Sequence, residues 1–175
     1  MDLFKVIEKR CSYRGAFKDQ KLPHKDIEKI IDAGIRAPSG YNRQTTSFVI
    51  ADGEEVIKEI GNIMGDERVE TSPAVIVVLM DTDDEGKDLY FGIEDYGAAV
   101  ENLLLAITAL GYATVWIDGS LRRQDRAKRI ADLLGVPDRH QVRVVLPLGV
   151  PAEEWEQKEK KSFSKRAWYN HYGGE

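Results

Sequence analysis

The stretch "YGAAVENLLLAITALGYATVWIDG", residues 96–119, decides the fold. From about Ile93 to Leu110 it has the spacing of a helix, and its second half is apolar almost all round. That pattern predicts a central buried helix. "YATVWID" (112–118) then reads as a strand, so a core helix runs directly into a sheet. On the N-terminal side, "AVIVVLM" (74–80) reads as a strand buried on both faces, preceded by an amphipathic helix over 54–64 and a strand over 46–52. A helix over 25–36 carries Ile27, Ile30, Ile31 and Ile35 on one face and must stop by Ala37, because Pro38 follows. Leu3, Val6 and Ile7 predict a short first helix over 2–9. On the C-terminal side, "RRQDRAKRIADLLG" reads as a surface helix and "QVRVVLPLGV" (141–150) as the last long strand. Alternating helices and strands imply three layers, helix on sheet on helix, in 175 residues with no repeat or linker.

The composition narrows the function. A chain of 175 residues, 42% hydrophobic and 31% charged, is one soluble domain with a sizeable core. A net charge of −5 argues against non-specific nucleic-acid binding, and the basic "SLRRQDRAKR" (120–129) reads as a solvated helix face. Cys11 is the only cysteine, which excludes an intrachain disulfide and a cysteine-based zinc site. His24, His140 and His171 have no partner at ligand spacing, so no metal site is expected. "DTDDEG" (81–86) lacks the spaced ligands of a calcium loop and reads as a solvated turn. The N-terminus is unlike a signal peptide and the longest apolar runs are too short to cross a bilayer, so a cytoplasmic location and no membrane partner are expected. No G-x-G-x-x-G, P-loop or G-x-S-x-G motif occurs. An enzyme built this way has no catalytic side chain of its own and needs a bound cofactor for the hard chemistry.

"EKRCSYRGAF" (8–17) sets Arg10, Ser12 and Arg14 at alternate positions. On a helix the two arginines would repel at i, i+4. In an extended segment all three side chains leave one face, which suits an anion. The tail from Pro151 to Glu175 mixes lysines with Trp155, Phe163, Trp168, Tyr169 and Tyr172. A disordered tail is poor in aromatics, so these rings are expected to cover something: the chain's own sheet or, in the preferred reading, a second subunit.

"RCSYRGAF", "APSGYNRQ", "YGAAVENLLLAITALGYATVWIDG" and "LPLGVP", in that order, resemble the FMN-dependent nitroreductase family over nearly the whole chain, most weakly at about 53–70 and 81–90. The resemblance implies an α+β, three-layer fold whose central sheet is mostly antiparallel, in a homodimer with FMN at the interface. Residues 1–175 would form a single FMN-binding domain, with 151–175 as an arm that embraces the partner. It implies that Arg10 and Ser12 meet the FMN phosphate and Arg14 the pyrimidine side of the ring, where a cation stabilises the reduced, anionic flavin. Arginine's planar fork fits a phosphate of charge about −1.5 to −2. Cys11 stands where a basic residue is common and is expected to serve through its backbone or packing.

The same resemblance makes "APSGYNRQ" the loop that crosses onto the partner's flavin, with Pro38, Ser39, Asn42 and Gln44 as its contacts. Asp118 and Gly119 match the place where backbone N–H groups approach flavin N5, Asp118 serving equally well as a helix cap. Lys158 and Lys160 match a basic pair at the phosphate. The implied reaction is ping-pong transfer from NADH or NADPH to a nitroaromatic, quinone or flavin acceptor. The alternatives are a flavin carrier or sensor without turnover, and a relative's dehalogenating or flavin-fragmenting chemistry. The latter usually needs lid insertions that this chain, short at 81–90, does not carry.

Overall fold

The computed structural model describes residues 2–83 and 89–174. The last three residues of the acidic stretch 81–86, and half of the short 81–90 region, lie outside the described residues. In chain order the elements are helices α1 (Leu3–Lys9) and α2 (His24–Ile35), strand β1 (Thr46–Ala51), helices α3 (Glu54–Met64) and α4 (Glu67–Glu70), strand β2 (Ala74–Asp81), helix α5 (Gly92–Ala109), strand β3 (Ala113–Thr114), helix α6 (Arg126–Leu133) and strand β4 (His140–Gly149). The sheet order is β1-β2-β4-β3, and every pairing is antiparallel.

Alternation along β2 builds the layers. Ile76, Val78 and Met80 face α2 and α5, packing on Ile27, Ile30, Val100, Leu103 and Ile107. Val75, Val77 and Leu79 face the other way, onto Ile57, Ile60 and Met64 of α3, Val69 of α4 and Ile130 of α6. All of β2 from Ala74 to Met80 is buried, as a strand covered on both sides must be. β4 keeps both faces apolar by a bulge: Val78 lies opposite Val144 but Leu79 opposite Val142. The skipped residue is Arg143. Its guanidinium sits 5.3 Å from the centre of the Tyr96 ring, and Val142 is returned to the α3–α6 core.

Four sequence expectations need correction. The strand expected over 112–118 pairs only at Ala113–Thr114, with one further bridge from Ile117 to Val145. The register places Val115 opposite Pro147, at a pair that would exchange two hydrogen bonds. Proline has no N–H to give there, so the ladder breaks. The helix expected from 122 is split into a 3₁₀ turn at Gly119–Arg122 and α6. Gln124 and Asp125, at φ 54° and 53°, interrupt it with a left-handed turn. α4 was not foreseen. It is one turn long, capped by the Asp66 side chain, which accepts the Arg68 N–H.

The fourth correction concerns burial. α5 is not covered all round: Leu105 is half-buried and Ala109 exposed. On α1 only Val6 is buried, while Phe4 is 72% exposed and Leu3 and Ile7 lie open. The aromatic tail is not covered by the sheet either, since Phe163, Tyr169 and Tyr172 are exposed. The rings beyond Trp155 meet each other instead, Trp168 and Tyr172 at 4.3 Å between centroids and Phe163 and Tyr169 at 6.1 Å. Among the described residues no helix is long and apolar enough to cross a membrane.

Candidate functional site

Residues 10–14 run extended along the β3 edge of the sheet. The Tyr13 N–H donates to the Thr114 carbonyl at 2.9 Å, and its ring is 1% exposed. With Tyr13 turned inward, its alternates Arg10, Ser12 and Arg14 line a cleft of about 180 Å³. The far wall is the start of the C-terminal arm, with Trp155, Gln157, Lys158 and Lys160. Several contacts hold that arm there, among them the Ala152 N–H donating to the Ala16 carbonyl at 3.0 Å. The Tyr13 hydroxyl donates to the Ala16 carbonyl and accepts the Ala152 N–H at 3.1 Å. The Trp155 ring meets Tyr13 edge-on at 5.8 Å. Gln157 Nε2 donates to the Arg10 carbonyl at 2.6 Å.

The cleft is rich in positive charge. Arg10, Arg14, Lys158 and Lys160 line it, against the single acid Glu156. Arg10 is weakly engaged: its Nε lies 3.9 Å from Glu101 Oε1, beyond hydrogen-bonding distance. Arg14 Nη1 donates to the Ser12 carbonyl at 3.3 Å. Four cations and a hydroxyl with so little internal pairing are a donor set for a multiply charged anion. Cys11 also lines the cleft. Burial pushes its thiol above the ordinary range, with the Arg10 guanidinium pulling the other way, and Sγ lies 3.6 Å from the Trp155 carbonyl. It is a packing residue rather than a nucleophile. A larger hollow of about 900 Å³ shares Arg10, Cys11, residues 155–158 and Lys160 with the cleft, and is also lined by Leu104 and Thr108 of α5. That is the size class of cofactor sites.

The other expected site residues lie elsewhere on the chain. Pro38, Ser39 and Gln44 line a separate recess of about 360 Å³ with Ile35, Phe48 and Asp95. Asn42 stands exposed on the 3₁₀ turn Gly40–Asn42. Tyr41, Asn42 and Gln44 have φ of 52°, 55° and 54°, a left-handed backbone that ordinary residues adopt only when held. Ser39 Oγ accepts the Gln44 N–H at 3.0 Å. The Asp95 carboxyl accepts the Gly40 N–H at 2.8 Å and the Thr45 hydroxyl at 2.7 Å.

Asp118 and Gly119 line neither hollow. The Asp118 side chain makes no cap bond and pairs with Arg122 Nη2 at 3.2 Å. Nothing stands within 4 Å of where a Gly119 Cβ would be, so that backbone is open to approach. The structure thus gathers Arg10, Cys11, Ser12, Arg14, Lys158 and Lys160, and sets the 37–44 loop and Asp118–Gly119 apart from them. Tyr13, Gln157 and Asp95 were not foreseen as site residues. An acid in the first turn of a helix is so ordinary that Asp95 carried no signal of its own.

Comparison with known proteins agrees with the fold. The model of the Nitroreductase family matches residues 7–67 and 64–150. A protein of Archaeoglobus fulgidus, provisionally named NADH dehydrogenase/NAD(P)H nitroreductase, is 33% identical over 154 residues, covering 87% of each chain. Among solved structures, a provisionally named NADH dehydrogenase/NAD(P)H nitroreductase from Parabacteroides distasonis superposes with a TM-score of 0.85 at 27% identity, over 97% of this chain and 98% of that one. An FMN-dependent nitroreductase from Clostridium difficile shares the fold at a TM-score of 0.83 and 23% identity, over 96% and 99% of the two chains. With an antiparallel sheet between helix layers, and with most of its length matched by the family's own pattern, the chain belongs to the nitroreductase family.

Proposed function

We propose that this chain is an FMN-dependent oxidoreductase that draws on NADH or NADPH and reduces a nitroaromatic, quinone or flavin. One observation carries the reading. Arg10, Ser12, Arg14, Lys158 and Lys160, from opposite ends of the sequence, converge on one cleft that opens onto a hollow of about 900 Å³. The donor set fits a phosphate monoester, which carries about two negative charges at neutral pH. Arg10 and Ser12 hold that phosphate with the two lysines, and Arg14 faces the polar edge of the ring. Membership of the nitroreductase family and the names of its NAD(P)H-linked relatives support the same reading.

When bound, FMN would supply the redox chemistry that the side chains lack, linking oxidation of a nicotinamide to reduction of an acceptor. The protein's part is orientation and charge. The Arg14 guanidinium offsets the negative charge that gathers at the ring edge on reduction. The Gly119 backbone, open on its outer side, offers a main-chain donor. The chain acts as a homodimer, each 37–44 loop contributing Pro38, Ser39, Asn42 and Gln44 to the partner's cofactor, with residues 151–175 as the embracing arm. The support is the apolar surface one chain leaves open, on α1, on the far side of α5 and on the tail.

Absorbance spectroscopy tests the reading. The purified chain is expected to carry, or to take up, FMN with quenching of its fluorescence. Anaerobic NADH or NADPH should bleach it faster than free FMN, and a nitroaromatic or quinone should restore the colour. A colourless protein that leaves added FMN fluorescence unchanged overturns it. A yellow protein bleached no faster than free FMN makes it a carrier instead.

A further inference from the structure

The sharpest feature outside the cation cleft is the loop Ser39–Thr45 and the one carboxyl that ties both its ends. Asp95 sits in the first turn of α5 and is 5% exposed. One oxygen accepts the Gly40 N–H at 2.8 Å and the other the Thr45 hydroxyl at 2.7 Å. A buried carboxyl group persists only where its oxygens are met by donors, and both donors here come from the loop. Between these two anchors the chain reverses through Tyr41, Asn42 and Gln44, all at positive φ. None of these is glycine, and such residues keep a left-handed backbone only where their surroundings hold them there. The turn is further held by the Ser39 hydroxyl, which accepts the Gln44 N–H at 3.0 Å, by Arg43 Nη1 donating to the Leu89 carbonyl at 3.0 Å, and by the Asn42 and Arg43 N–H groups donating to the Ser39 and Gly40 carbonyls.

We propose that Asp95 is a positioning residue for cofactor binding: its carboxyl closes the 39–45 loop into the left-handed turn that presents Asn42 and Gln44. The inference rests on the FMN reading above, because it is toward that cofactor that Asn42 and Gln44 are presented. Asp95 itself touches neither the cation cleft nor the larger hollow beside it. It lines the recess behind Pro38, Ser39 and Gln44 and acts through the loop they belong to. The geometry also says which replacement should be tolerated. In Asp95→Asn the side-chain carbonyl can still accept the Gly40 N–H, and the amide can donate to the Thr45 hydroxyl oxygen, which accepts as readily as it donates. Asp95→Ala keeps neither contact.

The test measures FMN affinity by fluorescence quenching in the full-length chain, beside the rate of tryptic cleavage after Arg43 without FMN. Asp95→Ala is expected to weaken FMN binding by about tenfold or more, as loss of a buried hydrogen-bonded anchor should, and to speed cleavage after Arg43. Asp95→Asn should stay near wild type in both. Should Asp95→Ala not fold, Thr45→Val removes one anchor and should show both effects in smaller measure. Wild-type affinity in the alanine variant, or an asparagine variant as impaired as alanine, overturns the proposal while leaving the FMN reading intact. A wild-type chain that does not bind FMN overturns that reading and this proposal together, whatever the proteolysis shows.

Discussion

Replacing Arg10 by methionine separates the phosphate from the rest of the cofactor. Methionine keeps most of the apolar stem, so the loss is chiefly of charge and donors. Arg10 is 19% exposed in its side chain and stands 3.9 Å from the nearest carboxylate oxygen, so little of its charge is spent within the protein. Two unit charges about 4 Å apart attract by about 1 kcal/mol in water and about 4 kcal/mol at the effective dielectric of a partly buried site. A value near the middle, about 2 kcal/mol, corresponds to roughly thirtyfold in dissociation constant. The assay is a pair of fluorescence titrations, with FMN and with riboflavin, which has the same ring and no phosphate. Arg10→Met should weaken FMN by roughly thirtyfold and riboflavin by less than about twofold. Added salt should shrink the FMN difference, since part of this attraction is screened. Equal losses for both ligands, or no loss for FMN, would refute the phosphate assignment.

Arg14→Ala should lower FMN affinity and also lower the bound flavin's midpoint potential, making it harder to reduce; an unchanged potential in spectroelectrochemical titration contradicts the ring-edge role. The Asp66–Arg68 hydrogen bond holds the Asp66 carboxyl below the ordinary carboxylate range. A carboxyl depressed in the folded state stabilises above its unfolded value and loses that contribution as pH falls through the folded value. Asp66→Asn should therefore be less stable than wild type in urea at pH 7, with the gap closing as pH falls through and below the ordinary carboxylate range. Leu103→Ala empties a fully buried position between α5 and the sheet. It should cost about 2–5 kcal/mol in denaturant unfolding, and a loss under about 1 kcal/mol would mean that the layer is looser than described.

What could be read from the sequence was whatever repeats with a fixed period. β2 and β4 are long apolar runs, and their burial follows from composition and length, whereas the open side of α5 does not. The alternation of Arg10, Ser12 and Arg14 likewise predicts a shared face, and the three do line one cleft. What could not be read depends on partners distant in sequence. Pro147 looks harmless inside "VVLPLG" until the register sets Val115 against it. Arg143 becomes a bulge only because Val142 and Val144 must serve opposite cores. α4 is too short to show a helical period. Asp95 gains its meaning from Gly40 and Thr45, some fifty residues away.

The interruption at Pro147 also bears on how this molecule behaves among its neighbours. A sheet ending in a long, regular strand offers a row of free amides and carbonyls to any other exposed strand, and that is how many β-rich proteins begin to clump. At the β3 margin of this sheet the strand is two residues long, and residues 10–17 lie across that margin, Tyr13 bonded to Thr114. Replacing Pro147 by a residue with an amide hydrogen would let that margin zip up toward Ile117. Such a variant should remain folded yet precipitate sooner on gentle heating.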